Sequence, residues 1–341
     1  MTHSEDKNIV SASGLTRRRV FAKSVPLEGE GNLFSQTWYP ICFSSDVTPG
    51  KVRGEDFLSG RVIVFRGEDG VVQVLSAYCP HLGTDLSQGC VIGNRVRCPF
   101  HHWYFDKEGS CVEIPNGGQP PRQATLFKYP TMEKYGIVWA FNGETPLFQL
   151  PDLVYPDEDL IFKQKPYPIL PVDPWMLCSN PSDLQHLRAL HGLVLETEQL
   201  EDKVEWTPHA MRYVVQASTV SGDRIDVDAA ILGTNVFRQV GTMNGRWYCC
   251  VIAMGLPGPG KCKPFFVIGT TKPAESDAAA TSTWMDGLMD FEMGLLDEDK
   301  PILDTAHFRI GVLAKADKVM ARYFEYVRNY PRANPGAEFL T

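Results

Sequence analysis

The chain has 341 residues, 43% of them hydrophobic and 22% charged, with a formal net charge of −8. That balance excludes a wholly disordered chain, a collagen and a mini-protein. An acidic total also argues against a nonspecific nucleic-acid binder, which needs a basic face, and the length suits two domains that can each bury a core.

Residues 1–34 are polar, charged and glycine-bearing, and read as a loose arm. The Arg17-Arg18-Arg19 triplet is followed by no apolar stretch of the kind an export signal needs, so the expected location is the cytoplasm. No run approaches the roughly 20 apolar residues of a membrane span. The longest, such as Trp247–Met254, are strand-sized.

From Trp38 the chain breaks into short β-rich runs separated by Gly, Asp and Pro, among them Arg61–Phe65, Val71–Ala77 and Gly136–Phe141. This predicts an all-β domain over 35–150. Two pairs stand out within it. Cys79-Pro80-His81 is followed by Cys98-Pro99-Phe100-His101, and each pair sits where a β-run gives way to a loop. Two Cys and two His bind either a tetrahedral zinc or an iron–sulfur cluster. A zinc finger usually pairs Cys with Cys and His with His. Here each loop supplies one of each, which suits a [2Fe–2S] cluster with thiolates on one iron and imidazoles on the other. A structural zinc site is the alternative. Of the nine cysteines, Cys42, Cys90, Cys111, Cys178, Cys249, Cys250 and Cys262 lack ligand spacing and read as small buried hydrophobes.

A proline-rich stretch runs from Pro146 to Pro174, and the domain boundary is placed near residue 150. The second domain, 151–341, opens with a helix from Met176 to about Leu190. Strands come next at Met211–Ser218, Arg224–Ala230, Thr234–Val240, Arg246–Met254 and Pro264–Thr271, and helices at Thr281–Glu298 and Asp317–Arg328 close the chain. A sheet packed under helices makes this domain α+β. Gly255–Cys262 nearly matches a phosphate-binding loop. However, Cys262 stands where Ser or Thr should be, Pro257 and Pro259 lack amide donors, and a strand comes after it, so it reads as a hairpin. His209 and His307 lack ligand spacing, and His102 is expected to face away from its neighbour's ligand site.

Asp183 and His186 share a helix face at i and i+3, and His191 comes just before Gly192. Two His and one carboxylate form the facial arrangement of non-heme Fe(II), with positions left open for O2 and substrate. The carboxylate must come from elsewhere. Candidates are Asp286, Asp290, Glu292, Asp297, Glu298, Asp299 and Asp304.

Cys79-Pro80-His81-Leu82-Gly83 with Cys98-Pro99-Phe100-His101-His102-Trp103 resembles a Rieske domain. Thr84 and Phe100 stand where the respiratory-complex type has a disulfide, which favours the oxygenase type. Asn180-x2-Asp183-x2-His186-x4-His191 in turn resembles the mononuclear-iron motif of Rieske non-heme iron oxygenases. The resemblance covers roughly residues 36–310. It implies an N-terminal Rieske domain followed by an α+β helix-grip (START-like) catalytic domain. The cluster ligands would be Cys79, His81, Cys98 and His101. The iron ligands would be His186, His191 and Asp299, with Asp297 as second choice, because Glu298–Leu303 resembles the family's acidic segment.

The resemblance further implies that Asp183 bridges a cluster His of one chain and an iron His of the next, in a homotrimer. A local cap is the other reading of Asp183. No dinucleotide fingerprint or ferredoxin cysteine spacing is present, so NAD(P)H electrons would arrive through a separate reductase, with or without a ferredoxin. The implied activity is O2-dependent hydroxylation or demethylation of a small hydrophobic molecule. Leu75–Gln88 and Cys111–Pro115 are similar to the steroid-hydroxylase branch. Cis-dihydroxylation, desaturation, oxidative cyclisation and plain electron carriage are the alternatives. The substrate pocket is expected between the second sheet and its closing helices, among Val227–Phe237, Trp247–Met254, Trp284, Met285, Met289 and Phe291.

Overall fold

The computed structural model describes residues 24–196, 203–306, 308 and 311–340. Short strands with dense turn chemistry give three small antiparallel sheets in the first part of the chain. A four-stranded sheet runs in the order Lys128–Tyr129, Val72–Ser76, Gly60–Arg66, Lys51–Phe57. A three-stranded sheet pairs Thr131–Lys134, Ile137–Phe141 and Trp38–Phe43. Both Ile137–Phe141 and Trp38–Phe43 are buried throughout, as an unbroken apolar run requires. A small four-stranded meander joins Cys90–Ile92, Arg95–Arg97, Tyr104–Phe105 and Cys111–Glu113.

An antiparallel eight-stranded sheet dominates the rest. Its central strands are Lys261–Thr271, Arg246–Gly258, Val236–Met243, Arg224–Leu232 and Ala210–Ser218. Side chains on a strand alternate between faces. Ile225, Val227, Ala229, Ile231, Tyr248, Cys250, Phe266 and Ile268 therefore pack on one face, under the helices. Ala230, Leu232, Cys249, Val251, Phe265 and Val267 pack on the other face, against Ile137, Trp139 and Phe141. The adjacent Cys249 and Cys250 belong to opposite cores.

Four α-helices are described: α1 (Pro174–Leu177), α2 (Leu184–Ala189), α3 (Ala278–Leu303) and α4 (Lys318–Arg328). On α3 the buried positions Met285, Leu288, Met289, Glu292, Leu296 and Asp299 recur at three- and four-residue steps, so two carboxylates lie on an otherwise apolar stripe.

Three expectations need correction. The helix expected from Met176 to Leu190 is two short helices separated by a 3-10 turn, Asn180–Ser182. Pro181 removes a helical donor, and extended Asp183 restarts the chain by accepting from the amides of Gln185 and His186 at 3.1 Å. The proline-rich segment holds a strand, Leu160–Pro166, at one edge of the large sheet, where proline is tolerated. Within the arm expected over 1–34, Met1–Lys23 lie outside the described residues, and the remainder is packed against the domain instead of loose. Val25 and Glu28 are buried; Glu28 accepts from Ser35 Oγ at 2.6 Å and pairs with Arg332 at 3.0 Å. Gly255–Cys262 lies in the hairpin joining Arg246–Gly258 to Lys261–Thr271, as its prolines indicate.

Candidate metal centres and pocket

The first pair of residues comes after the strand ending at Ser76, and the second lies in the meander between Arg97 and Tyr104. Each loop is tied by its own cysteine. The Gly83 amide donates to Cys79 O at 2.9 Å, the His102 amide to Cys98 O at 3.1 Å, and the Cys98 amide to Trp103 O at 2.8 Å. Both cysteines are buried, whereas His81 and His101 are exposed. The two imidazoles face each other, Nδ1 to Nδ1 at 3.2 Å, and Trp103 stacks on His81 at 4.4 Å. Burial pushes the Cys79 thiol up, and the neighbouring Cys98 adds to this, so thiolates there call for a metal's positive charge. A buried Cys pair set behind an exposed His pair fits a two-iron cluster better than one zinc. His102 is exposed at φ 57°. Cys90 and Cys111 are half-buried, unlike the other cysteines expected in the core.

His186 lies on α2, and His191 lies two residues past its end, where Gly192 turns the chain at φ 65°. Asp299 reaches them from α3. Its Oδ1 is 2.7 Å from His186 Nε2 and 3.4 Å from His191 Nε2, and the ligand atoms of the three all lie within 4.8 Å of one another. Asn180 Nδ2 donates to the other oxygen, Oδ2, at 2.9 Å. Burial alone would raise the Asp299 carboxyl, but hydrogen bonds from His186 and His191 hold it well below the usual carboxylate range. Burial likewise lowers His191, while hydrogen bonds to Asp299 and Glu298 raise it on balance. An ionised carboxylate between two imidazoles is a site that demands positive charge, and a divalent cation meets that demand.

Four of the other acidic candidates are engaged elsewhere. Asp297 accepts from Tyr167 Oη at 2.5 Å, and Asp286, Asp290 and Asp304 pair with Lys163, Lys165 and Lys300. Glu298 sits beside the triad, its Oε2 2.6 Å from His191 Nδ1. A carboxylate there accepts from Nδ1–H and orients the ring so that Nε2 faces the triad. Glu298 had no spacing signal of its own, and Asn180 was noted only as part of a motif. Asp183 caps α2. His186 Nδ1 is buried without a hydrogen-bond partner among the described residues.

The triad lies in the wall of an apolar pocket that is partly open to solvent. Of the residues expected to line it, Phe237, Ile252, Met254 and Phe291 do so, whereas Val227, Met285 and Met289 pack in the core. Tyr213, Gln239 and Glu292 were not anticipated.

Residues 37–130 match the family model described as the Rieske [2Fe-2S] domain. The chain is 30% identical over 254 residues to "Aminopyrrolnitrin oxygenase PrnD" of Pseudomonas fluorescens, covering 67% of this chain and 68% of that one. It is 31% identical over 161 residues to "Cholesterol 7-desaturase nvd" of Bombyx mori, covering 46% of this chain and only 35% of the relative's length. The solved structure of Pseudomonas putida CBB5 NdmA with caffeine shares the fold, with a TM-score of 0.67 at 18% identity over 86% of this chain and 90% of that one.

Proposed function

Since the chain belongs to the Rieske-type oxygenases, we propose that it is the oxygenase component of a multicomponent system that hydroxylates or oxidatively demethylates a small hydrophobic molecule. The observation that carries this reading is the His186–His191–Asp299 group in the wall of an apolar pocket. A plain electron carrier has no use for such a pocket beside an ion site.

In this reading Cys79 and Cys98 hold one iron of a [2Fe–2S] cluster, His81 and His101 hold the other, and His186, His191 and Asp299 hold a mononuclear Fe(II). When bound, the cluster supplies single electrons and the mononuclear iron activates O2. The chain supplies the rest. Glu298 accepts a hydrogen bond from His191 Nδ1–H and so leaves Nε2 to ligate. Asn180 occupies Asp299 Oδ2 and leaves Oδ1 toward the imidazoles. Walls such as Phe237, Ile252 and Leu295 exclude water and favour an apolar substrate.

Asp183, at the start of α2, is assigned as the bridge between subunits of a homotrimer, accepting from a cluster histidine of a neighbouring copy and from the unpartnered Nδ1 of His186. Reductase-delivered NAD(P)H electrons and a cytoplasmic setting complete the proposal, as does a division into a cluster domain over 35–150 and a catalytic domain from 151 onward. The same residues also support desaturation, so the type of oxidation is left to experiment. Iron and acid-labile sulfide are measured on anaerobically purified protein. Two irons and two sulfides for the cluster plus one iron for the triad support the reading, as does NAD(P)H-dependent O2 uptake with a surrogate reductase. A chain that takes up no iron beyond its cluster overturns it.

A further inference from the structure

Midway along the stripe on α3 lies a polar group that the triad does not use. Glu292 is buried to 4% exposure and lines the same pocket. Gln239, on the strand Val236–Met243 and also in the pocket wall, donates its carboxamide Nε2 to Glu292 Oε1. That is the one hydrogen bond Glu292 makes among the described residues, and no cation pairs with it there. Tyr248 on the adjoining strand keeps its buried hydroxyl without a partner among the described residues; burial, and then the neighbouring Glu292, raise its phenol. Around them this face of the strand pair carries Phe237, Cys250 and Met254, with Arg246 turned toward the start of α3, where it donates to Thr281 Oγ1 at 2.6 Å. A buried carboxyl with one neutral partner destabilises the fold, and such groups concentrate where a ligand completes them.

We infer that Glu292 and Gln239 are the polar anchor of the pocket: they bind the single hydroxyl of an otherwise apolar, elongated substrate, and so set which carbon lies against His186, His191 and Asp299. This rests on the oxygenase reading of the pocket and deepens it. Glu292 precedes Asp299 by seven residues on one helix, a rise of about 10 Å, so the anchored hydroxyl and the attacked carbon are separated by about that length. The choice of a hydroxyl comes from the chemistry of the pair. An ionised carboxyl accepts from a hydroxyl and a protonated one donates to it. A hydroxyl both donates and accepts, so it can meet the carboxyl and the second N–H of the Gln239 carboxamide together, whereas a ketone only accepts and an ammonium only donates. Burial pushes Glu292 up to about 7, and a hydroxyl is satisfied by either form of the carboxyl. Apart from the triad, Asn180 and Tyr213, whose hydroxyl donates to Pro181 O, Gln239 and Glu292 are the polar side chains lining the pocket, which suits one polar group on the substrate.

The test uses two rigid probes of suitable length, 4-phenylphenol and biphenyl, titrated calorimetrically into the iron-loaded protein without reductase. The native protein is expected to bind 4-phenylphenol about tenfold more tightly than biphenyl, the value of one good buried hydrogen bond. Glu292→Leu and Gln239→Leu are expected to bring the two affinities within about twofold, and Glu292→Gln to keep part of the preference. Equal affinities in the native protein, binding of neither probe, or a preference that survives both leucine variants overturns the inference. The native comparison needs no variant, so it decides even if Glu292→Leu fails to fold. Iron content is assayed on the same sample: loss of the triad iron with the preference intact would sink the oxygenase reading and spare the anchor.

Discussion

The two ligand sets differ in how far the chain must travel to assemble them. His81 and His101 are 20 positions apart and sit in neighbouring loops of one small β region, each tied by hydrogen bonds within its own turn. His186 and Asp299 are 113 positions apart and meet only because α3 lies across the face of the large sheet. The first set is a property of two loops, and the second is a property of the packed domain. Substitutions should therefore act locally in the first set and separate iron binding from turnover in the second.

The largest expected effect is that of Cys98→Ala. A cluster that bridges both loops cannot survive the loss of one thiolate, so its visible absorbance should disappear while the triad still binds iron. Retained absorbance would break the pairing of the loops. Next comes Asp299→Ala, expected to lose the mononuclear iron and keep the cluster spectrum, with Asp297→Ala losing neither. Iron analysis on both variants decides, and the opposite pattern would move the third ligand to Asp297. Asp183→Ala is expected to keep both metals but to lower turnover on the order of 100-fold. The substitution also removes the cap of α2, worth about 1 kcal/mol. Asp183→Asn keeps a capping oxygen while removing the charge, so a turnover loss shared by both variants, with unchanged melting temperatures for Asn, marks the bridge and not the cap. Normal turnover in Asp183→Asn removes it.

The same contrast explains what the sequence made legible. The Cys–x–His and Cys–x2–His loops are local, so residue types and spacing sufficed to name them. The strands Arg224–Leu232 and Arg246–Gly258 were legible as apolar runs, with their starts matched and their ends short by two and four residues. The third carboxylate was harder, because six acidic neighbours crowd it. Helical phase would have separated Asp299 from Asp297: the apolar positions Met285, Leu288, Met289 and Leu296 continue to 299, and 297 falls off the stripe. The same phase marks Glu292, an acid set in an apolar register. The buried pair of Glu28 and Arg332 joins residues more than 300 positions apart, and no local pattern announces it. The strand Leu160–Pro166 was hidden by prolines that an edge position tolerates.

Glu298 gives the smallest effect and the sharpest test of the packed-domain reading. Its carboxylate receives the Nδ1 side of His191, which is buried, yet Glu298 itself is half-exposed. Solvent screens such a contact, so Glu298→Gln should weaken iron binding at the triad by about tenfold, the low end for a ligand-orienting carboxylate. The carboxamide can still accept from Nδ1–H through its oxygen, whereas Glu298→Leu cannot, so the leucine variant should bind iron more weakly than the glutamine variant. The cluster spectrum, built by loops of the first part of the chain, should be identical in all three proteins. Iron affinity measured by chelator competition checks the ranking. Equal affinity in the native, Gln and Leu proteins would mean that His191 is held by burial alone. A change in the cluster spectrum would mean that the two centres are not built independently.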